Sequence, residues 1–300
     1  MTGPGISGGS ADVMVEAVRT KADGAVPVPF GERLAAARAD SGLLCVGIDP
    51  HASELASWSL PDSAAGVRDY ALRLIGAVAG RVAAVKPQSA FFERHGSAGV
   101  AVLEKLLAAA REAGVLVLLD VKRGDIGSTV AAYAEAYLDR SSPLAADAIT
   151  VSPFLGVGAL DPVFATATAH GAGVFVLAMT SNADGRLLQG ASVRPGLTVS
   201  GAVLAEVASR NRAVPGGSFG AVVGATIGST DEDLHIGGPL LAPGLGAQCG
   251  TVADLPRIFG DAMPDVLPSV SRGISKAGPD VDAIRAVVAA YEADLRKLVR

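Results

Sequence analysis

The feature that most constrains the fold of this chain is a repeated alternation of short apolar runs and amphipathic segments. Eight strand-sized runs end in polar or glycine-containing turns, near residues 43–50, 83–87, 115–122, 148–153, 173–181, 220–227, 239–246 and 266–274. Segments with charges at helical spacing lie between them, such as "AAGVRDYALRLIGAVAG" and "GVAVLEKLLAAAREAG". Near-continuous apolar strands are typical of parallel sheets, because helices cover both faces. The alternation therefore predicts eight βα units.

The ends of the eight runs distinguish between two parallel architectures, a (β/α)8 barrel and a doubly wound sheet. Each run ends in a polar residue or glycine that could face a ligand: Asp49, Lys86, Asp120 with Lys122, Ser152, Thr180 with Ser181, Thr226, Gly244 and Arg272. A barrel brings all these ends to one face, whereas a doubly wound sheet would gather only some of them. Eight units in about 250 residues also have the size of such a barrel. The sequence predicts an α/β fold, a (β/α)8 TIM barrel.

The N-terminal segment differs from the rest of the chain. Residues 1–28 are rich in glycine and small residues and have weak periodicity, which predicts a disordered N-terminal extension. Residues 29–300 are then expected to form one barrel domain.

Composition argues against several partners and locations. The 25 Lys and Arg and 30 Asp and Glu give a net charge of -5, and the absence of a basic run argues against nucleic acid as a partner. Cys45 and Cys249 lie far apart, so no disulfide framework or paired zinc spacing is expected. The four histidines lack metal-ligand spacing, so no metal site is expected. Without an evident membrane span or signal peptide, we expect a cytoplasmic protein.

The stretch "VLLDVKRGDIGST", residues 117–129, concentrates charge in a chain of which only 18% is charged. Asp120 and Lys122 are two apart in a strand and therefore point to the same side. A single ion pair here could simply close one end of the barrel. A lone buried pair is a poor stabiliser, however, because desolvation opposes the attraction. With Lys86 and Asp125 added, the alternating amines and carboxylates favour a catalytic electrostatic cluster.

These residues carry a resemblance to a known family. "VLLDVKRGDIGST" and "AAVKPQSAFFERHG", with "LCVGIDPH", "TVSPFLG", "LAMTSN", "LLAPGLGAQ" and "PSVSRGI", resemble the orotidine 5'-monophosphate decarboxylase family, specifically its longer bacterial subgroup. The resemblance implies a catalytic tetrad formed by Lys86, Asp120, Lys122 and Asp125. It further implies a homodimer, in which Asp125 and Thr129 reach the site of the neighbouring subunit.

Two loops near the C-terminus predict a phosphate site. Barrels often hold phosphate after strands seven and eight, where this chain has "PGLGAQCG" and "SRGI". Glycines such as Gly246 and Gly273 let backbone N–H groups approach the oxygens, and Arg272 can bind two of them. The alternative is that Gly244 and Gly246 only shape a turn.

The resemblance implies further substrate contacts. Asp49 would bind the ribose, Thr180 or Ser181 would contact the pyrimidine edge, and Gln248 would bridge base and phosphate when a lid closes. Cys249 stands where the resemblance leads us to expect glycine, so its side chain could alter that closure.

The resemblance implies decarboxylation of orotidylate to uridylate, and because no cofactor motif is visible, we expect the reaction to proceed without a cofactor. Lys122 would stabilise the carbanion at the ring carbon and then protonate it. Two alternatives remain open at this point. One is a metal-dependent barrel acting on a keto sugar phosphate, and the other is a nucleotide-binding protein without catalysis.

Overall fold

The computed structural model describes residues 27–214, 216–246 and 250–298. The predicted disorder of residues 1–28 therefore falls almost entirely outside the described residues, as do the expectations for Gln248 and Cys249. Residues 27 and 28 lie against the barrel, where a Cβ on Gly171 would meet the carbonyl oxygen of Val28 at 2.7 Å.

Strands and helices alternate along most of the described chain. The strands are β1 (Cys45–Ile48), β2 (Ala84–Pro87), β3 (Leu116–Arg123), β4 (Ala148–Val151), β5 (Gly173–Met179), β6 (Ser192–Arg194), β7 (Leu197–Thr198), β8 (Phe219–Val223), β9 (Leu240–Leu245) and β10 (Val266–Val270). The α-helices are α1 (Phe30–Asp40), α2 (Ala52–Ser57), α3 (Ala64–Val78), α4 (Ala90–Glu93), α5 (Gly96–Glu112), α6 (Gly127–Leu138), α7 (Asp161–His170), α8 (Gly185–Gln189), α9 (Val199–Ala213), α10 (Leu255–Phe259), α11 (Arg272–Ser275) and α12 (Val281–Arg296).

Eight parallel strands form a closed barrel in the order β1-β2-β3-β4-β5-β8-β9-β10, and β10 pairs with β1. Each of the eight apolar runs overlaps one of these strands, so the predicted (β/α)8 barrel is confirmed. The alternation with helices is incomplete at one point, since residues 224–239 between β8 and β9 contain no helix. A short antiparallel hairpin of β6 and β7, which the sequence did not predict, follows α8.

Helix α1 closes the N-terminal end of the barrel. Phe30 is fully buried, and its ring meets that of Phe175 edge-on at a centroid distance of 5.9 Å. A Cβ on Gly173 would overlap the Phe30 ring, so this close approach requires glycine at the start of β5. The guanidinium of Arg33 binds Asp147 and donates to the carbonyl oxygen of Gly171, which fixes the helix in place. The C-terminal end of the barrel is left open.

The outer helices cover the barrel through apolar faces, as α3 illustrates. The side chain of Ser63 caps its first turn by accepting from the backbone N–H of Gly66. Val67, Tyr70, Ala71 and Leu74 follow at helical spacing, and all are fully buried. Burial of each large aliphatic side chain contributes roughly 1.5–3 kcal/mol, so such faces hold the strands in a rigid frame. Among the helices of the described residues, none is both long enough and apolar enough to cross a membrane.

Candidate active site

A cavity of about 470 Å³ opens at the C-terminal end of the barrel. Most of the strand-end residues singled out in the sequence line it, namely Asp49, Lys86, Asp120, Lys122, Thr180, Ser181, Gly244 and Arg272. Two others do not, because β4 contributes Thr150 rather than Ser152, and β8 contributes Val222 rather than Thr226. The barrel thus gathers side chains from strands that are distant in sequence into one site.

Asp120 is the centre of the charged cluster. Its Oδ2 accepts from Lys86 Nζ at 2.9 Å, and its Oδ1 accepts from Lys122 Nζ at 2.6 Å and from Thr150 Oγ1 at 2.7 Å. With its amide nitrogen turned toward Asp120, Gln88 also donates to Oδ2 at 2.5 Å. Asp120 and Lys86 are only 6% and 7% exposed. The carboxylate therefore has hydrogen-bond donors on both oxygens and little freedom to move.

The environment keeps both buried members of the cluster ionised. Burial lowers the pKa of Lys86, but attraction to Asp120 and Asp49 outweighs this and raises the pKa above the ordinary lysine value. Burial likewise raises the pKa of Asp120, but the ammonium groups of Lys86 and Lys122 outweigh it and hold the pKa well below the ordinary range. Around neutral pH, the site therefore holds fixed charges.

Lys122 differs from Lys86 in exposure and backbone conformation. Its side chain is 44% exposed, whereas that of Lys86 is 8% exposed. Its φ of 46° lies in the left-handed region, which among the described non-glycine residues is shared only by Ser59. This conformation costs an L-residue roughly 1–2 kcal/mol and persists where the surroundings hold it. The strain therefore lies at the residue whose ammonium faces the cavity.

Sequence reasoning missed Thr150, which is 1% exposed. Its hydroxyl donates to Asp120 and also accepts from the backbone N–H of Lys122 at 3.0 Å. The available signal was a single polar residue inside the otherwise apolar strand "AITV". Threonine is common in strands, so this signal is weak in the sequence alone.

Asp49 directly follows β1 and lies close enough to Lys86 to attract its ammonium group. Its Oδ1 is buried and has no hydrogen-bond partner among the described residues, although it lines the cavity. A buried carboxylate oxygen without a partner is costly unless a ligand or water satisfies it. Such an oxygen is suited to accept from a ligand hydroxyl. Next to it, the rings of His51 and Phe91 pack with centroids 4.1 Å apart at the cavity wall.

The loops after β9 and β10 approach each other closely. A Cβ on Gly246 would lie 2.9 Å from the hydroxyl of Tyr291, and one on Gly273 would lie 2.7 Å from it. Gly246 also has a φ of 79°, which favours glycine. Arg272 lines the cavity, whereas Gly246 and Gly273 do not. The backbone N–H of Gly246 donates to the carbonyl oxygen of Gly250 at 2.8 Å, so within this cavity the guanidinium of Arg272 is the group that suits an anion with several oxygens, such as phosphate.

Thr180 and Ser181, at the end of β5, both line the cavity. The hydroxyl of Thr180 donates to Asn182 Oδ1 at 2.6 Å and accepts from Gln189 Nε2 at 2.7 Å. Gln189 Oε1 accepts from the backbone N–H of Thr180 at 2.9 Å, which ties α8 to the strand end. The only hydroxyl hydrogen of Thr180 is therefore already used within the protein.

Asp125 and Thr129 do not line the cavity of their own chain. The carboxylate of Asp125 accepts from the backbone N–H of Ile126 at 2.8 Å, and Thr129 is exposed. Near them in sequence, Ile126 is 60% exposed, and Phe154 and Leu155 on the loop after β4 are 73% and 53% exposed. Of the four tetrad residues, a single chain thus brings together Lys86, Asp120 and Lys122 only.

Comparisons with known proteins identify the relatives of this chain. Residues 42–287 match the model of the orotidine 5'-phosphate decarboxylase / HUMPS family. A protein named orotidine 5'-phosphate decarboxylase from a Nocardioides species is 59% identical over 273 residues, which are 90% of this chain and 99% of that protein. A protein of the same name from Streptomyces coelicolor is 54% identical over 273 residues, which are 90% of this chain and 98% of that protein.

Solved structures agree in fold and in assignment. The crystal structure of a protein from Streptomyces avermitilis, assigned as an orotidine 5'-phosphate decarboxylase, matches with a TM-score of 0.89 and 53% identity over 94% of this chain and 99% of that chain. OMP decarboxylase from Leishmania donovani matches with a TM-score of 0.72 and 31% identity over 90% of this chain and 99% of that chain. The resemblance carried by the sequence motifs is thereby confirmed, and the chain belongs to the orotidine 5'-phosphate decarboxylase / HUMPS family.

Proposed function

We propose that this protein decarboxylates orotidine 5'-monophosphate to uridine 5'-monophosphate in the cytosol, the last step of de novo pyrimidine nucleotide synthesis, without a cofactor. The names of its relatives support the activity. The observation that carries the mechanism is the pair of salt bridges that joins Lys86, Asp120 and Lys122 in the cavity. These salt bridges hold the ammonium group of Lys122 in a fixed position beside a pocket large enough for a nucleotide.

Lys122 is the proposed electrostatic and acid catalyst. When the bond between C6 and the carboxylate carbon breaks, carbon dioxide leaves and the electron pair stays in an in-plane orbital on C6. That pair cannot spread into the ring, so a nearby ammonium provides the stabilisation. The ammonium of Lys122 then transfers one proton to C6, which yields uridylate and a neutral amine. The amine regains its proton from solvent before the next turnover.

Asp120 and Lys86 support the reaction by positioning Lys122 and by interacting with the substrate. Asp120 holds the ammonium of Lys122 at 2.6 Å and keeps it oriented. Its negative charge would also lie close to the departing carboxylate, which raises the energy of the bound substrate relative to the transition state. Lys86 compensates Asp120 from the buried side and, with Asp49, would bind the ribose hydroxyls.

The remaining contacts bind parts of the substrate that do not react. Arg272, Gly246 and Gly273 would hold the phosphate, together with Gln248. Binding of this distant group supplies energy that can order the reacting centre. Thr180 or Ser181, which both line the cavity, would contact the pyrimidine edge.

The fourth tetrad member would come from a second copy of the chain. In a homodimer, Asp125 and Thr129 would enter the partner's cavity, which accounts for their position outside their own. The exposed apolar side chains of Ile126, Phe154 and Leu155 support an interface in this region, since burial there would remove them from water.

The test of the proposed reaction is an ultraviolet assay that follows loss of orotidylate. The wild-type protein should turn it over equally well after EDTA treatment. Lys122→Ala should lose on the order of 10³-fold or more in kcat while still binding uridylate. Turnover that requires a divalent metal and spares orotidylate would instead indicate a sugar-phosphate enzyme. Binding of uridylate without any turnover would indicate a binding protein.

The shared site has its own test. Lys122→Ala and Asp125→Asn dimers should each be inactive, but a mixture should recover activity. Half of the randomly mixed dimers carry both variants, and one site in each is intact, so about a quarter of wild-type activity should return. A mixture as inactive as its components would contradict the assignment of Asp125 to the partner's site.

A further inference from the structure

The pairing between β3 and β4 is interrupted at the catalytic cluster. Leu119 pairs with Ile149, and the next pair joins Arg123 to Val151. Three residues of β3, numbers 120–122, therefore stand opposite a single residue of β4, which is Thr150. A bulge of this kind re-aims side chains and leaves backbone groups without their ladder partners.

The hydroxyl of Thr150 replaces the missing ladder bond. Its oxygen accepts from the backbone N–H of Lys122 at 3.0 Å, where φ is 46°. Its hydrogen goes to Asp120 Oδ1 at 2.7 Å, the same oxygen that receives Lys122 Nζ at 2.6 Å. One side chain thus binds the backbone of Lys122 and the carboxylate that holds the Lys122 ammonium.

Two properties make this side chain suitable for fixing a position. Thr150 is 1% exposed, so water does not compete for its hydroxyl. Its branched Cβ restricts the first side-chain torsion, so the hydroxyl is held in one direction. The geometry of Lys122 is therefore set from both ends of that residue, at its backbone N–H and at its Nζ.

We propose that Thr150 is a positioning residue, whose hydroxyl locks the bulged conformation of Lys122 and aligns its ammonium with the reacting carbon. This inference rests on the proposed decarboxylation for its kinetic consequence, but not for its structural one. A displacement of about 1 Å at a reacting group can cost about 10²-fold in rate. The nucleotide pocket itself keeps its other contacts when the hydroxyl is removed.

The test compares Thr150→Val, which keeps the branched shape without the hydroxyl, with Thr150→Ser, which keeps the hydroxyl. Thr150→Val should lower kcat about 10²-fold, with the KM for orotidylate and the Kd for uridylate within threefold of wild type. Thr150→Ser should restore kcat to within about fivefold. Thr166→Val, on helix α7 away from the cavity, is the matched control and should behave as wild type.

Amide hydrogen exchange at Lys122, followed by NMR, gives a second readout that does not depend on turnover. Exchange should be at least tenfold faster in Thr150→Val than in wild type, and near wild type in Thr150→Ser. If the wild type fails to decarboxylate orotidylate, the proposed function falls, and exchange at Lys122 still decides whether Thr150 holds the bulge. A Thr150→Val variant with wild-type kcat, or a Thr150→Ser variant as slow as Thr150→Val, would overturn the proposal. Unchanged exchange at Lys122 in Thr150→Val would do the same.

Discussion

Substitution of Asp120 by asparagine removes the one carboxylate that joins two ammonium groups. Lys86 Nζ lies 2.9 Å from Asp120, and its side chain is 8% exposed. At this distance and an effective dielectric near 20, the lost attraction is about 6 kcal/mol. Lys122 can turn its half-exposed side chain to water, but Lys86 cannot. Removing one partner of a buried ion pair typically lowers the free energy of unfolding by about 3–5 kcal/mol. We expect a loss of about 3 kcal/mol here because the cavity admits water.

The same substitution should change how stability depends on pH. In the wild type, attraction to Asp120 holds the pKa of Lys86 above its unfolded value, so this contribution is complete below about pH 10.4. In Asp120→Asn, Asp49 still attracts the ammonium group, but burial is the larger effect and should lower the pKa of Lys86 below the unfolded value. The unfolded chain then binds more protons than the folded one between the two pKa values, so the variant gains stability as pH rises. Each unit by which the pKa of Lys86 is lowered changes the free energy of unfolding by about 1.4 kcal/mol.

Urea unfolding followed by circular dichroism at pH 7 and pH 9.5 measures both effects. The difference in unfolding free energy between wild type and Asp120→Asn should shrink by at least about 1 kcal/mol at the higher pH. Asp282→Asn is the matched control, because Asp282 pairs with Arg285 but its side chain is 90% exposed. Such a surface pair contributes about 0–1 kcal/mol. A constant difference between wild type and Asp120→Asn at both pH values would refute the assignment of a buried, charged Lys86.

Three further predictions concern other parts of the molecule. Arg272→Gln should raise the KM for orotidylate about 10²-fold in steady-state kinetics, since charge-assisted hydrogen bonds are worth roughly 1.5–3 kcal/mol each; an unchanged KM would exclude Arg272 from phosphate binding. Burial raises the pKa of the Cys45 thiol to about 12, so in a Cys249→Ser background this thiol should react with Ellman's reagent at pH 8 only after denaturation, and rapid reaction of the folded protein would contradict its burial. Phe30→Ala should lower the unfolding free energy by about 3–5 kcal/mol, measured in urea beside the exposed Leu187→Ala, and equal losses in the two variants would show that α1 does not plug the barrel.

Most of the barrel could be predicted from the sequence because its strands are buried on both faces and therefore apolar throughout. The segment after β5 could not, since α8 and the β6–β7 hairpin carry little apolar surface inward. Leu187 and Val193 in this segment are 87% and 57% exposed, so no periodic burial pattern marks the elements. The segment between β8 and β9 likewise gave no sign that its helix would be missing. Buried strands and helices have apolar residues at regular spacing, which can be recognised in the sequence. Exposed elements have no such spacing.

The cluster shows a similar division between what the sequence contains and what it leaves out. Charges placed directly after apolar runs are conspicuous, and Lys86, Asp120 and Lys122 were found in this way. Ser152 was expected in the cavity, but β4 ends at Val151, and the backbone N–H of Ser152 instead donates to the carbonyl of Arg123 at 2.8 Å. Thr150 was missed because its importance depends on the register between β3 and β4, which is a property of two segments about 30 residues apart. Register follows from pairing and is not visible in either segment alone.

The charge balance of the cluster suggests why Lys122, rather than Lys86, should face the reacting carbon. Two ammonium groups share the carboxylate of Asp120, and Asp49 adds a second negative charge on the side of Lys86. Lys86 thus lies between two carboxylates, whereas the exposed side of Lys122 is stabilised by water. A nucleotide that fills the cavity would displace this water and lower the local dielectric, which strengthens the attraction of Lys122 for any new negative charge. Under the proposed mechanism that charge is the electron pair on C6, so Lys122 attracts the reacting group most strongly at the transition state.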